Sequence, residues 1–108
     1  MTLAEVKTLL EGIAGFSNKV VYNAWPEGEA PALPFLVFLE TRENPMPADG
    51  INYYASKDIA IELYTDKKDP TTEALIESAL TAAGIFYAKS EEYLNDERCY
   101  FTLYEIEV

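Results

Sequence analysis

Histidine is absent from this 108-residue chain, and that removes a good deal of chemistry at once. The chain lacks the one side chain that titrates near neutrality unaided, the usual general base and the commonest metal ligand. No Ser–His or Cys–His nucleophile can be assembled within it. Cysteine occurs once, at Cys99, so neither an internal disulfide nor a thiolate metal cluster can be built from one chain. Cys99 falls among aromatics in a predicted strand, where it reads as a small buried hydrophobe and not as a nucleophile. The five glycines are scattered at Gly12, Gly15, Gly28, Gly50 and Gly84, which excludes a glycine-rich phosphate loop.

Positive charge is scarce as well. Eight Lys+Arg against nineteen Asp+Glu leave a net charge of -11. Such a field repels nucleic acid and anionic membranes. It favours solubility, a basic partner, or a passage through which DNA slides without sticking. Lys67-Lys68 is the one basic pair, too short for a nucleic-acid patch. No apolar run approaches membrane-spanning length, and the first residues show no basic region followed by an apolar stretch. The expectation is a soluble protein without a signal peptide, made in the cytoplasm.

What is present is ordinary core material, 49% of the residues being hydrophobic, which suits one domain over 1–108. Thr2-Leu-Ala-Glu5 forms a capping-box pattern, and Leu3, Val6, Leu10 and Ile13 follow at helical spacing. A first helix is expected from about Thr2 to Gly12. Lys19–Trp25 reads as a short strand, and Pro26, Pro31 and Pro34 then exclude regular structure. Phe35–Arg42 is apolar on both faces at first, which predicts a strand central in its sheet. Glu43–Tyr54, with Asn44-Pro-Met-Pro47 and Asp49-Gly50, reads as a long loop. Ser56–Tyr64 alternates Ile59, Ile61 and Leu63 with polar positions, the pattern of a strand buried on one face.

Asp69-Pro70 starts a second helix, with Leu75, Ile76, Ala79, Leu80 and Ala83 as its expected buried stripe and Gly84 as its stop. Ile85–Tyr93 and Cys99–Val108 read as a closing hairpin. The order α-β-β-β-α-β-β predicts the α+β class, a mostly antiparallel sheet with both helices on one face.

Two acidic groupings could hold a cation: Glu105 with Glu107 on one strand face, and Asp66, Asp69 and Glu73 around the second helix start. Solvated charge is the favoured reading of the first, and favourable interaction with a helix N-terminus the favoured reading of the second. The expectation is no metal, no cofactor and no enzyme activity. Aromatics say more, with eight tyrosines, five phenylalanines and one tryptophan. A two-helix core cannot hide them all, and tyrosine suits wet interfaces. Trp25, Met46, Tyr53, Tyr54, Tyr64 and Tyr93 are the expected interface residues, Trp25 foremost as an anchor beside a proline-rich loop, with closing one end of the core as its equal alternative.

The element order resembles that of the small tail terminator, or tail-completion, proteins of long-tailed phages and prophages. The second half carries most of the likeness. A strand ending Glu62-Leu63-Tyr64 is followed by Asp66-Lys-Lys-Asp-Pro-Thr-Thr-Glu73, a helix, Gly84 and a hairpin closing on Tyr104-Glu-Ile-Glu-Val108. The resemblance implies a homo-oligomeric, six-fold ring on the head-proximal end of the tail tube. Such a ring stops tube polymerisation, meets the head-completion protein, and lets DNA pass unbound. It implies a place in the virion, and no catalytic residues. A closed ring needs two different patches per subunit, and the Glu43–Tyr54 loop with exposed aromatics would supply one. Rival readings are another head–tail connector of the same neck, an acidic DNA mimic that occupies a basic site, and a small enzyme, for which nothing in the spacing points to a pocket.

Overall fold

The computed structural model describes residues 1–48 and 50–108, with the side chains of all of these except 47, 48 and 52–55. Helix α1 runs Leu3–Glu11, and its capping box is closed in both directions. The Glu5 N–H donates to Thr2 Oγ1 at 3.1 Å and the Thr2 N–H donates to Glu5 Oε1 at 2.9 Å. Strand β1, Val20–Tyr22, is shorter than the expected Lys19–Trp25. Asn23 leaves it with a φ of 69°, a left-handed turn that asparagine tolerates.

Strands β2 (Phe35–Ala48) and β3 (Ile51–Thr65) are much longer than expected. The expected Glu43–Tyr54 loop is therefore corrected to strand: Asn44 pairs with Ser56, Pro45 with Tyr54, Met46 with Tyr53 and Ala48 with Ile51. Two prolines fit here because this stretch has no strand on its outer sides, so a missing ladder donor costs little. Gly50, with a φ of 75°, serves the reversal at the tip. Helix α2 (Pro70–Ala82) begins where Asp69 accepts from the Thr72 N–H. Strand β4 (Tyr87–Leu94) starts two residues later than expected, because Ile85 still packs on the core. Strand β5 (Cys99–Glu107) closes the fold.

The sheet order is β1-β2-β3-β5-β4, antiparallel throughout except that β1 runs parallel to β2. The fold is α+β with the anticipated order, and β2 and β3 are both interior strands. Alternation sends Leu36, Phe38, Ile59, Ile61, Leu63, Tyr104 and Ile106 to one face, where they meet Val6 and Leu10 of α1 and Ile76 and Leu80 of α2. Burying each such side chain contributes about 1.5–3 kcal/mol. Two members of the expected α2 stripe, Leu75 and Ala83, are exposed, while Glu73 is buried. Position 73 lies three residues before Ile76 and seven before Leu80, so it shares their stripe. Its charge is met from β4, as described below.

Candidate interaction surface

Among the described residues, the second face of the sheet carries no helix. Phe35, Val37 and Leu39 of β2 emerge there, opposite Tyr64, Glu62 and Ala60 of β3. Phe101, Leu103 and Glu105 of β5 continue the same rows. At one end the segment after β1 folds back over the sheet and brings Trp25 edge-on to Phe35, their centroids 6.0 Å apart. Phe35 stacks on Tyr64 at 5.1 Å, and Tyr64 packs on Phe101 at 5.3 Å. Four aromatic rings thus form a row across three strands. Pairs of this kind contribute about 0.5–1.5 kcal/mol each beyond area burial.

Beside the row is a pocket of about 360 Å³, lined by Trp25, Leu33, Phe35, Val37, Glu62, Tyr64, Glu97 and Cys99 among others. Glu62 sits half-buried on this apolar face, and burial pushes its carboxyl above the usual range, although the Tyr64 hydroxyl donates to Oε1 at 3.0 Å. Burial and the neighbouring Glu62 carboxylate together drive the Tyr64 phenol far above its ordinary value. The Cys99 thiol is raised too, by burial and then by Glu97, so it is a poor nucleophile. The Trp25 indole N–H is buried and has no acceptor among the described residues.

Beyond Asn44 and Ser56 the β2–β3 pair carries on alone as a two-stranded arm, because β1 pairs only with Leu36–Phe38 and the backbone bonds from β3 to the C-terminal strand end at Lys57–Val108. The arm stretches the molecule to 50 × 31 × 24 Å, with a radius of gyration of 14.9 Å. A compact chain of this length has about 13 Å. Irregularities at Glu40/Arg42 and Asn44/Pro45 flank its base, where extra twist re-aims a strand pair. The base is also pinned by side chains. Asn44 Nδ2 donates to Glu107 Oε2 at 2.7 Å and to Asp58 Oδ1 at 3.0 Å, and the Ser56 hydroxyl donates to Glu107 Oε2 at 3.0 Å. Near the tip Met46 and Ile51 are more than half exposed.

The six expected interface residues therefore separate. Trp25 and Tyr64 come together in the aromatic row, and Met46 lies on the arm. Tyr93 belongs to the opposite face, edge-on to Tyr100 at the margin of β4. Tyr53 and Tyr54 are paired through their backbones on the arm, and their side chains lie outside those described. Sequence reasoning passed over Phe35, Phe101, Glu62 and Glu97 on this face, and Phe86, whose side chain is 95% exposed just before β4. The signal for Phe35 was available. A β2 apolar on both faces, in a protein with helices for only one, leaves apolar side chains uncovered.

The acidic groupings take structural roles. Asp69 caps α2, and Glu73 pairs with Lys89 Nζ at 2.7 Å and Lys68 Nζ at 2.9 Å. Glu107 is engaged at the arm base. Among the described residues no three acidic or cysteine side chains gather as a metal site, and no helix is long and apolar enough to cross a membrane. No protein-family model and no curated protein matches the chain.

Proposed function

We propose that this protein is a phage structural subunit of the tail-terminator kind. Copies close into a ring, expected to be hexameric, at the head-proximal end of the tail tube. The ring stops tube polymerisation and offers a surface to the head-completion protein, and DNA passes through it unbound. The observation that carries this reading is the arm: a two-stranded projection with exposed Met46 and Ile51, on a body whose opposite feature is a helix-free aromatic sheet face. A projecting patch and a different receiving patch on one subunit are what a heterologous, closing interface requires. The net charge of -11 favours free passage of DNA through such a ring.

A DNA mimic is less well supported, since Glu73, Glu77 and Glu91 are engaged by Lys68 and Lys89 and are not free to imitate a phosphate row. The deciding experiment is electron microscopy of tails from the parent phage or prophage lacking this gene. Overlong, headless tubes are expected. Tails of normal length that fail to join heads would assign the protein to another neck ring, and normal infectious particles would refute both.

A further inference from the structure

We infer that the pocket beside Trp25 is a socket for an arginine side chain presented by a partner protein. This inference concerns one pocket and does not rest on the ring reading. The pocket combines aromatic walls from Trp25, Phe35 and Tyr64 with two carboxylates, Glu62 and Glu97. Among the described residues neither carboxylate has a lysine or arginine partner. The Glu62 hydrogen bond comes from the Tyr64 hydroxyl, and Glu97 meets only the Cys99 thiol at 4.0 Å.

Glu62, half-buried on an apolar face, is poorly solvated, and a cation seated beside it restores what burial removed, while the exposed Glu97 adds negative charge at the pocket mouth. Aromatic faces beside the carboxylates attract cations through their ring quadrupoles. A guanidinium answers both features, because its plane stacks on rings while its edge forks onto a carboxylate. An ammonium offers only a strongly hydrated point charge. With eleven more acidic than basic residues in the chain, the complementary charge comes most readily from another protein.

Trp25 is the chain's sole tryptophan and forms a wall of the pocket, so its fluorescence reports directly on occupancy. The test titrates the whole protein with the blocked tripeptide acetyl-Ala-Arg-Ala-amide. Its isosteric control replaces arginine by citrulline, which has the same shape without the charge. A saturable emission change at millimolar arginine peptide is expected, with at least tenfold weaker response to the citrulline peptide. Glu62→Gln keeps the acceptor for Tyr64 and is expected to weaken the arginine peptide about tenfold while leaving the citrulline response unchanged. A thermal melt verifies that this variant folds. Equal response to both peptides, no saturable response to arginine, or an unaltered affinity in Glu62→Gln would each overturn the assignment.

Discussion

The Tyr104 hydroxyl donates to the Glu77 carboxylate at 2.8 Å, tying β5 to α2 across the core. Tyr104 is fully buried, and the same carboxylate also holds Lys89 Nζ at 2.8 Å. A polar seam therefore runs beneath α2, from Tyr104 through Glu77 and Lys89 to Glu73 and Lys68, which also contacts Glu91. Its inner members, Tyr104 and Glu73, are buried, and buried polar groups are stable only when they are satisfied.

Tyr104→Phe removes one hydrogen bond to a charged acceptor while preserving the ring. The expected loss is about 1.5 kcal/mol, since Glu77 keeps Lys89. That corresponds to a Tm lower by ~6–12 °C for a domain of this size, read by calorimetry.

The seam also sets a pH window. Burial pushes the Glu73 carboxyl up, but Lys89 and Lys68 overcome this and hold it below the ordinary range. Glu77 behaves alike, with Lys89 and Tyr104 outweighing burial. Carboxyls held low contribute stability above their unfolded value of about 4.3, and the contribution disappears as pH falls through the folded values. Lys89 is raised by Glu73 and Glu77, so its contribution is complete below its unfolded value of about 10.4 and is lost only as pH rises beyond it. Urea midpoints are therefore expected to be flat from about pH 5 to 9 and to fall below about pH 4. Lys89→Met is expected to cost about 2 kcal/mol at pH 7 and to flatten the acid limb, because Glu73 then keeps Lys68 alone.

Glu62 has the opposite sign. Burial raises its carboxyl, so the charged form costs stability above the folded pKa, and that cost is relieved as pH falls through it. Glu62→Gln is expected to be more stable than the parent at pH 7 by about 0.5 kcal/mol, the small scale fitting a half-exposed site. The advantage should shrink toward pH 4, which paired urea melts at the two pH values would show.

On the proposed ring reading, the arm serves contact and not stability. Replacing Met46 and Ile51 by aspartate places charge on side chains that are already exposed. Stability should change by no more than about 0.5 kcal/mol. Association is another matter: ring formation and tube capping should be lost, read by native mass spectrometry and tail-length microscopy. A double variant that still caps tubes would remove the arm from the interface.

How much was legible follows from the range of each signal. The α1 capping box and the Asp69-Pro70 start are local, since caps act within one turn, and both were read at the right residues. The alternation of Ile59, Ile61 and Leu63 gave the buried face of β3 for the same reason. The arm was misread as a loop because Asn44-Pro-Met-Pro47 carries turn-forming residues. Prolines break a central strand, and only the absence of outer neighbours makes them harmless. The sequence gives no local sign of that absence.

The candidate surface divides along the same line. Composition by itself determined that histidine-based chemistry is closed to this chain, that its surface is acidic, and that it holds more aromatic rings than its core can use. Tertiary structure decided which rings meet. Phe35, Tyr64 and Phe101 are 29 and 37 residues apart in sequence, and only the β2–β3 and β3–β5 registers align them into one row with Trp25. It also decided that Glu73 faces inward to Lys89 while Glu62 has no cation partner among the described residues. Patterns of period 2 and 3.6 are written along the chain, whereas a charge finds its partner only through contacts that cross from one element to another.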